Sequence, residues 1–177
     1  MVRKKKQENK FNVVLALVIA LFVAISSVLV WSNRYDLFPA LIEDGVSVCF
    51  LTANGEDKIV KYVYEDSSKV SRFNYAIRKL VEGPTDIQKV FKTYSEIPVG
   101  TKIIAIIESE NKNIIDLTAE FNTGGGTESI YNKLNQLIRT VEENTDKPTY
   151  LFVNGVQIEV FGGEGIMITQ PLTRNSL

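Results

Sequence analysis

An almost wholly apolar run, Phe11 to Trp31, follows a basic N-terminal stretch and constrains every other part of the chain. At about 1.5 Å per residue, a helix over this run is about 31 Å long, which matches a bilayer core of about 30 Å. Five basic residues precede the run, whereas Arg34 is the only basic residue close behind it. By the positive-inside rule, we expect residues 1–10 to form a cytoplasmic tail, residues 11–31 to span the membrane, and the remainder to lie outside the cytoplasm.

A cleaved signal peptide is the competing interpretation, because it also has a basic start and an apolar centre. Ala24-Ile25-Ser26 has the small-residue spacing of a cleavage site, but the apolar run continues beyond it to Trp31. Trp31 suits an anchor at the membrane interface, so we predict an uncleaved anchor. Cys49, the only cysteine, lies too far along the chain for a lipoprotein attachment site. We interpret it as a small buried hydrophobic residue.

The rest of the chain is long enough for one domain with a hydrophobic core. We place this domain at residues 46–174, after a connector at 32–45 and before a short tail at 175–177. The whole chain has a net charge of −1, and its first ten residues carry five basic and one acidic side chain, so the remainder is −5. An acidic domain without a basic stripe argues against nucleic acid as a partner. The absence of histidine excludes histidine-dependent triads and the H-E-x-x-H zinc motif.

The domain is predicted to start with a hairpin. Val46, Val48 and Phe50 fall on one face of a strand, and Asn54-Gly55 turns the chain into a second strand over Ile59–Tyr64. We expect the connecting loop to be longer than two residues.

Three helices are predicted from the spacing of apolar residues. The first follows a cap cluster at Asp66-Ser67-Ser68 and ends at Gly83-Pro84, because proline cannot continue the helical hydrogen bonds. The second is short and starts with a capping box of Thr85 and Gln88. The third covers about Thr127 to Glu143 and has a narrow apolar face formed by Ile130, Leu134, Leu137, Ile138 and Val141.

Further strands are predicted between and after these helices. The isoleucine-rich stretch Lys102–Glu108 is typical of a strand buried on both faces, and Ile114–Leu117 pairs back with it. Tyr150–Val153 and Val156–Phe161 form a hairpin around Asn154-Gly155.

The remaining segment, residues 162–177, is interpreted as a closing loop with a frayed end. The whole pattern predicts an α+β domain in which two main helices cover one face of a small, mainly antiparallel sheet.

Two glycine-rich loops are candidate ligand or partner loops: Gly124, Gly125 and Gly126, and then Gly162, Gly163 and Gly165. The first precedes a helix N-terminus, where backbone amides bind anions, but Glu128 already complements the helix dipole. We therefore favour a flexible lead-in for the first loop and a structural turn for the second. Asp116 and Glu120 bracket a strand end and are a candidate calcium site, but two carboxylates supply fewer ligands than calcium usually takes. No catalytic, cofactor-binding or metal-binding residue is assigned.

Five short segments follow one another in a recognisable order. They are Arg78–Pro84, Ser95–Thr101, Ile115–Phe121, then the last helix and the strand leading to Asn154-Gly155, and finally Phe161–Gly165 with Thr169–Arg174. Taken together, these segments resemble the GerMN domain family. The residues that carry the motifs are Gly83, Pro84, Pro98, Gly100, Asp116, Phe121, Phe161, Pro171 and Arg174. The glycines and prolines among them also suit helix caps and turns.

The resemblance implies a bacterial envelope module found in sporulation and germination proteins, in mycobacterial lipoproteins and in some wall-hydrolase architectures. The implied fold is similar to the ring-building modules of secretion-like assemblies, with helices backing a small sheet. The implied role is binding or assembly, without a catalytic set of residues and without a cofactor.

We therefore expect a single-pass protein of the bacterial inner membrane with its N-terminus in the cytoplasm. Its extracytoplasmic domain is expected to be a non-catalytic scaffold or protein-interaction module in cell-envelope assembly. The expected partners are the membrane and either an envelope protein or further copies of the chain. The alternative is a module that binds a small ligand or a peptidoglycan fragment through the glycine-rich loops. An enzyme that uses Asp116 and Glu120 is the least favoured hypothesis.

Overall fold

The computed structural model describes residues 2–34, 42, 44–64, 69–163 and 165–177, and within the first helix it describes side chains from Val13 on. The chain divides into two compact units, Met1–Pro39 and Ala40–Leu177. The predicted cap cluster Asp66-Ser67-Ser68 lies outside the described residues, as does most of the predicted connector.

The first unit contains one long helix, α1, over Val2–Ser32. Its segment Val13–Ser32 is apolar, has exposed side chains, and is long enough to cross a membrane. The three serines of this segment are satisfied within the helix. Ser26 and Ser27 each donate a hydroxyl hydrogen bond of 2.8 Å to the carbonyl four residues earlier, and Ser32 donates one of 3.1 Å to the carbonyl of Leu29. The helix therefore presents no unsatisfied serine hydroxyl to an apolar environment. It also starts earlier than the apolar run, so residues 2–10 are helical.

The second unit begins with an antiparallel sheet of three strands in the order β2-β1-β3. Strand β1 is Gly45–Thr52, β2 is Asp57–Val63 and β3 is Thr93–Tyr94. The loop between β1 and β2 is longer than two residues, as predicted, and is closed by a 2.8 Å bond from the N–H of Thr52 to the carbonyl of Glu56.

Helix α2, Arg72–Glu82, is capped by Ser71, whose hydroxyl accepts a 3.0 Å bond from the N–H of Asn74. It ends at Gly83, as predicted, where the positive φ of 80° suits glycine and the N–H bonds back to the last turn. The short helix α3, Asp86–Val90, starts with the predicted capping box of Thr85 and Gln88.

A second sheet has four strands in the order β4-β5-β6-β7. Its strands are β4 Ile103–Glu108, β5 Asn113–Leu117, β6 Thr149–Val153 and β7 Val156–Gln157. All pairs are antiparallel except β5 with β6, which are parallel because helix α4, Thr127–Glu142, connects them. The mixed helix-and-sheet class is confirmed. The described residues form two main sheets and a two-stranded ribbon in place of the single sheet expected.

Strand β4 does not lie buried on both faces, so that part of the prediction is wrong. Ile104 and Ile107 are 51% and 53% exposed. The reason is position: β4 is the end strand of its sheet and has a strand neighbour on one side only within the described residues. A run of isoleucines alone does not distinguish a central strand from an end strand.

Helix α4 packs against β1 through polar side chains as well as through its apolar face. The predicted apolar face is buried, but Gln136 and Thr140 are buried as well. Thr140 Oγ1 accepts a 3.0 Å bond from the N–H of Cys49, and Gln136 Nε2 donates a 3.3 Å bond to the carbonyl of Cys49. Asn144 makes the same two kinds of contact with the backbone of Ser47. These side chains satisfy the edge of β1 as a neighbouring strand would.

The C-terminal segment is ordered against the domain, which corrects the expectation of a frayed end. A short ribbon pairs β8, Val160–Phe161, with β9, Ile166–Met167, and a 3-10 turn follows at Arg174–Ser176. Ser176 is buried, and its carbonyl accepts a 3.0 Å bond from the N–H of Thr169. The predicted strand over residues 156–161 is divided into β7 and β8.

Candidate functional site

A groove of about 470 Å³ lies where two motif segments meet on the surface of the second unit. One wall is the connection between α2 and α3, at Gly83 and Pro84, and the other is the turn at Pro98 and Gly100. These four motif residues, which stand well apart in the sequence, are therefore brought together. Further lining comes mainly from apolar side chains, among them Val81, Tyr94, Ile97 and Val99.

Apolar side chains are exposed in this groove and next to it in the chain. Among the lining residues, Val99 is fully exposed and Tyr94 is about half exposed. Val90 and Phe91 directly follow the lining residue Lys89 in the sequence and are 79% and 57% exposed. Clustered exposed apolar side chains rimmed by polar residues are typical of protein-binding surfaces. We call the groove together with Val90, Phe91, Tyr94 and Val99 the motif groove. The exposure of these residues was not predicted from the sequence, because a valine or phenylalanine in a short helix can be either buried or exposed.

The first glycine-rich loop lies beside a different, polar groove of about 780 Å³. Gly126 is the N-cap of α4 and contributes to the lining, together with the carboxylates of Glu96 and Glu128. Ser129, in the first turn, donates a 2.6 Å bond to Glu96 Oε2. The two carboxylates make this helix N-terminus unfavourable for an anion.

The second glycine-rich loop is the turn of the β8–β9 ribbon. The N–H of Gly162 donates a 2.7 Å bond to Asn122 Oδ1, and the N–H of Gly165 reaches the carbonyl of Gly162 at 3.4 Å. Gly163 is exposed between them. These contacts make a structural turn. The two glycine-rich loops line no common groove among those described.

Asp116 and Glu120 serve local structure in the described residues. Asp116 Oδ1 accepts a 3.1 Å bond from the N–H of Gly155 and so holds the β6–β7 turn. A hydrogen bond from Thr118 lowers the pKa of the exposed Glu120 carboxyl. Within the described part of the chain, no group of three or more metal-binding side chains comes together.

A family model described as sporulation and spore germination, the Germane family, matches residues 47–160. The match covers most of the second unit. The chain belongs to this family.

Two solved structures show the same fold. The first GerMN domain of the sporulation protein GerM from Bacillus subtilis is 16% identical, with a TM-score of 0.59 over 75% of this chain and 98% of that one. The tandem GerMN domains of the same protein are 16% identical, with a TM-score of 0.58 over 74% of this chain. The present chain spans only 46% of the length of that tandem structure. No curated protein sequence matches the chain significantly.

Two further motif residues of this Germane domain, Phe121 and Phe161, form a buried pair. Their rings meet edge to face with centroids 5.4 Å apart. The ammonium of Lys133 lies 4.9 Å from the centroid of Phe161 and donates a 3.0 Å bond to the carbonyl of Thr123. Burial lowers the pKa of Lys133, opposed by the charge of Glu96. Sequence analysis did not single out Lys133, because a lysine beside a helix's apolar face usually reaches solvent.

The last motif residues fix the C-terminal segment of the Germane domain to its core. Gln170, just before Pro171, bonds the N–H of Leu151 at 2.7 Å and its carbonyl at 2.9 Å. Arg174 Nε pairs with Glu142 Oε2 at 2.6 Å. The carbonyl of Pro171 accepts a 3.2 Å bond from the hydroxyl of Ser176. Pro171 and Arg174 thus make structural contacts, whereas Gly83, Pro84, Pro98 and Gly100 line the motif groove.

Proposed function

We propose that this protein is a membrane-anchored, extracytoplasmic interaction module that binds an envelope protein through the motif groove and performs no catalysis itself. The observation that carries the proposal is the meeting of two separate motif segments in one exposed apolar groove. Membership of a sporulation and germination family supports a role in envelope assembly during those processes. The apolar helix supports a single-pass anchor with its basic end in the cytoplasm.

The length of the connector limits where the partner lies. The predicted connector of about 14 residues reaches at most about 50 Å when fully extended. The partner is therefore an integral or peripheral protein of the same membrane, or a protein in the adjoining envelope space. An anchor close to the domain also raises the effective concentration of the domain for such a partner.

Position-specific photo-crosslinking in the native membrane tests this proposal. A photoreactive side chain at Val99, in the motif groove, is compared with one at Asp146, which is exposed outside it. We expect an adduct with an envelope protein from position 99 that is absent from position 146. The added substitution Val90→Asp should reduce that adduct without changing stability, since Val90 is largely exposed. Equal adducts from both positions, or none from position 99, would contradict the proposal.

A second candidate function is binding of a small ligand or peptidoglycan fragment in the polar groove beside Gly126. The groove holds two carboxylates with nearby Asn54 and Asn132, so it favours amine-bearing and hydroxyl-rich groups over phosphates. Isothermal titration with purified peptidoglycan fragments tests it. Binding heat that disappears in the Glu96→Gln variant would support this function, and the absence of heat from the unaltered protein would eliminate it.

A further inference from the structure

Strand β4 has an open edge that lies outside the motif groove and has no role in the proposed function. Within the described residues, β4 pairs with β5 and with no other strand. In natural proteins, edge strands are usually short, charged or covered, because an open edge pairs readily with another strand. Here the edge carries four isoleucines, of which Ile104 and Ile107 are half exposed.

Backbone geometry identifies which groups face the open edge. The N–H of Ser109 bonds the carbonyl of Lys112 at 2.9 Å, so Ser109 faces β5. Backbone groups of successive residues in a strand point to opposite edges. Ile107 therefore also faces β5, and Ile106 and Glu108 direct their N–H and C=O groups to the open edge.

The charges on β4 differ at its two ends. Lys102 precedes the strand, while Glu108 ends it and Glu110 follows. If two copies pair in antiparallel fashion, the basic end of each meets the acidic end of the other, whereas parallel pairing brings like charges together. Lys147 lies at the acidic end too and donates a 2.9 Å bond to the carbonyl of Ser109. Charge therefore favours the antiparallel direction, while the isoleucines provide most of the buried area.

Side-chain faces restrict the register, and charge supports one that sets Lys102 opposite Glu110 of the second copy. Ala105 is in register with Asp116 and Ile107 with Ile114, so Ala105 and Ile107 lie on one face of the sheet, while Ile106 lies on the other. Opposite residues of an antiparallel pair share a face. A two-fold axis at Ile106 satisfies this rule, because it sets Ile106 opposite itself and Ala105 opposite Ile107. It also sets the outward backbone groups of Ile106 against each other as a hydrogen-bonded pair.

We infer that two copies of this protein pair through β4, antiparallel and centred on Ile106, to join their four-stranded sheets into one. The partner is a second copy because one edge supplies both the complementary charges and the matching apolar faces. Such an isologous contact closes on itself. The inference goes beyond the proposed function, since self-pairing and partner binding use different surfaces and either can hold without the other.

The association of the full-length protein in detergent, measured by sedimentation, tests the inference. Ile107→Lys places a charge at the proposed interface, and Val160→Lys places one at a site of similar exposure, 50%, outside it. We expect a dimer whose dissociation constant rises at least tenfold in Ile107→Lys and stays unchanged in Val160→Lys. A monomer at all accessible concentrations, or an equal effect of both substitutions, would overturn the inference.

A disulfide test in the native membrane measures the register independently. Ile106→Cys places two thiols at the two-fold axis, with Cα atoms about 5.5 Å apart in a hydrogen-bonded pair, within disulfide range. Ile114→Cys, on the neighbouring strand, is the control, and the native Cys49 is buried. Mild oxidation should give a covalent dimer from position 106 and none from position 114 or from the unaltered chain. A dimer from position 114 as strong as that from 106 would refute the β4 contact. Val99→Asp, in the motif groove, should leave the position 106 crosslink intact.

Discussion

Lys133 is a charged residue in a buried environment, whereas a lysine ammonium usually lies in water. Its side chain is almost fully buried, with its ammonium over the rings of Phe121 and Phe161 and bonded to the carbonyl of Thr123. A buried ammonium is tolerated only when it is well paired, so its contacts offset the cost of desolvation. Lys133 thus connects two motif phenylalanines to the loop that precedes α4.

Lys133→Ala should destabilise the domain by roughly 3 kcal/mol, because it removes the ring contacts and the Thr123 bond and leaves a cavity. Lys133→Met keeps the side-chain volume and should cost roughly 1 kcal/mol. Urea denaturation of each variant gives these values. Stability of Lys133→Ala equal to that of the unaltered protein would show that the ammonium contributes nothing net.

The pH dependence of stability gives a separate test of the same residue. Burial lowers the folded-state pKa of Lys133 below the ordinary value of about 10.4, so between those two values the unfolded state binds more protons. The stability of the unaltered protein should therefore rise, relative to Lys133→Met, as pH increases through this window towards about 10.4. A constant difference between the two proteins across alkaline pH would contradict this prediction.

Gly124 and Gly125 allow a comparison between two neighbouring positions with the same backbone geometry. Their φ angles are 74° and 77°, so alanine is strained at both. A Cβ at Gly124 meets open space, whereas one at Gly125 overlaps the Ser129 side chain. Gly124→Ala should cost roughly 1 kcal/mol, and Gly125→Ala roughly 1 kcal/mol more because Ser129 must leave Glu96. Equal melting temperatures for the two variants would show that a side chain at position 125 does not displace Ser129.

At the scale of elements, α4 shows how a helix takes the place of a strand. The spacing of Gln136, Thr140 and Asn144 repeats every four residues, which places them on one stripe along β1. Polar stripes on helices usually face water, so the burial of this stripe was not predicted from the sequence. Its role becomes visible only when β1 is known to lack a full-length neighbour on that side.

Thr140→Val tests this edge contact, because valine keeps the shape of threonine and removes the acceptor for the N–H of Cys49. The buried N–H is left without its 3.0 Å partner, which should cost roughly 2 kcal/mol. Thr169→Val, at an exposed position, should change stability by less than about 0.5 kcal/mol. A small effect of both substitutions would show that the edge bond contributes little.

The limits of sequence reasoning are clearest in β4 and α4. The Thr85–Gln88 capping box and the end of α2 at Gly83 were predicted correctly, because they depend on neighbouring residues alone. The start of α2 was not, since its N-cap is Ser71 and not the cluster at residues 66–68. The exposure of β4, the parallel pairing of β5 with β6 and the burial of Lys133 depend on which elements become neighbours. The motif groove likewise depends on tertiary structure, since its two walls are separate segments.

At the scale of the whole molecule, the second unit has its own hydrophobic core, built from both sheets and from α2 and α4. In the first unit, the side chains of the apolar segment of α1 are exposed. A helix with this composition and no protein partner around it is stable in a bilayer and aggregates in water. Under the proposed function, the helix lies in the membrane and the domain carries the recognition surfaces in water.

The single buried cysteine makes the membrane orientation directly measurable. Burial raises the pKa of Cys49 to about 12, so the native thiol should not react with a maleimide in the folded protein. Asn54→Cys places an exposed thiol in the β1–β2 loop, and Lys4→Cys places one in the basic stretch before the apolar run. In intact cells, a membrane-impermeant maleimide that reaches the space outside the inner membrane should label position 54 at once and position 4 only after lysis. Labelling of position 4 before lysis, with position 54 protected, would reverse the proposed topology and place the motif groove among cytoplasmic partners.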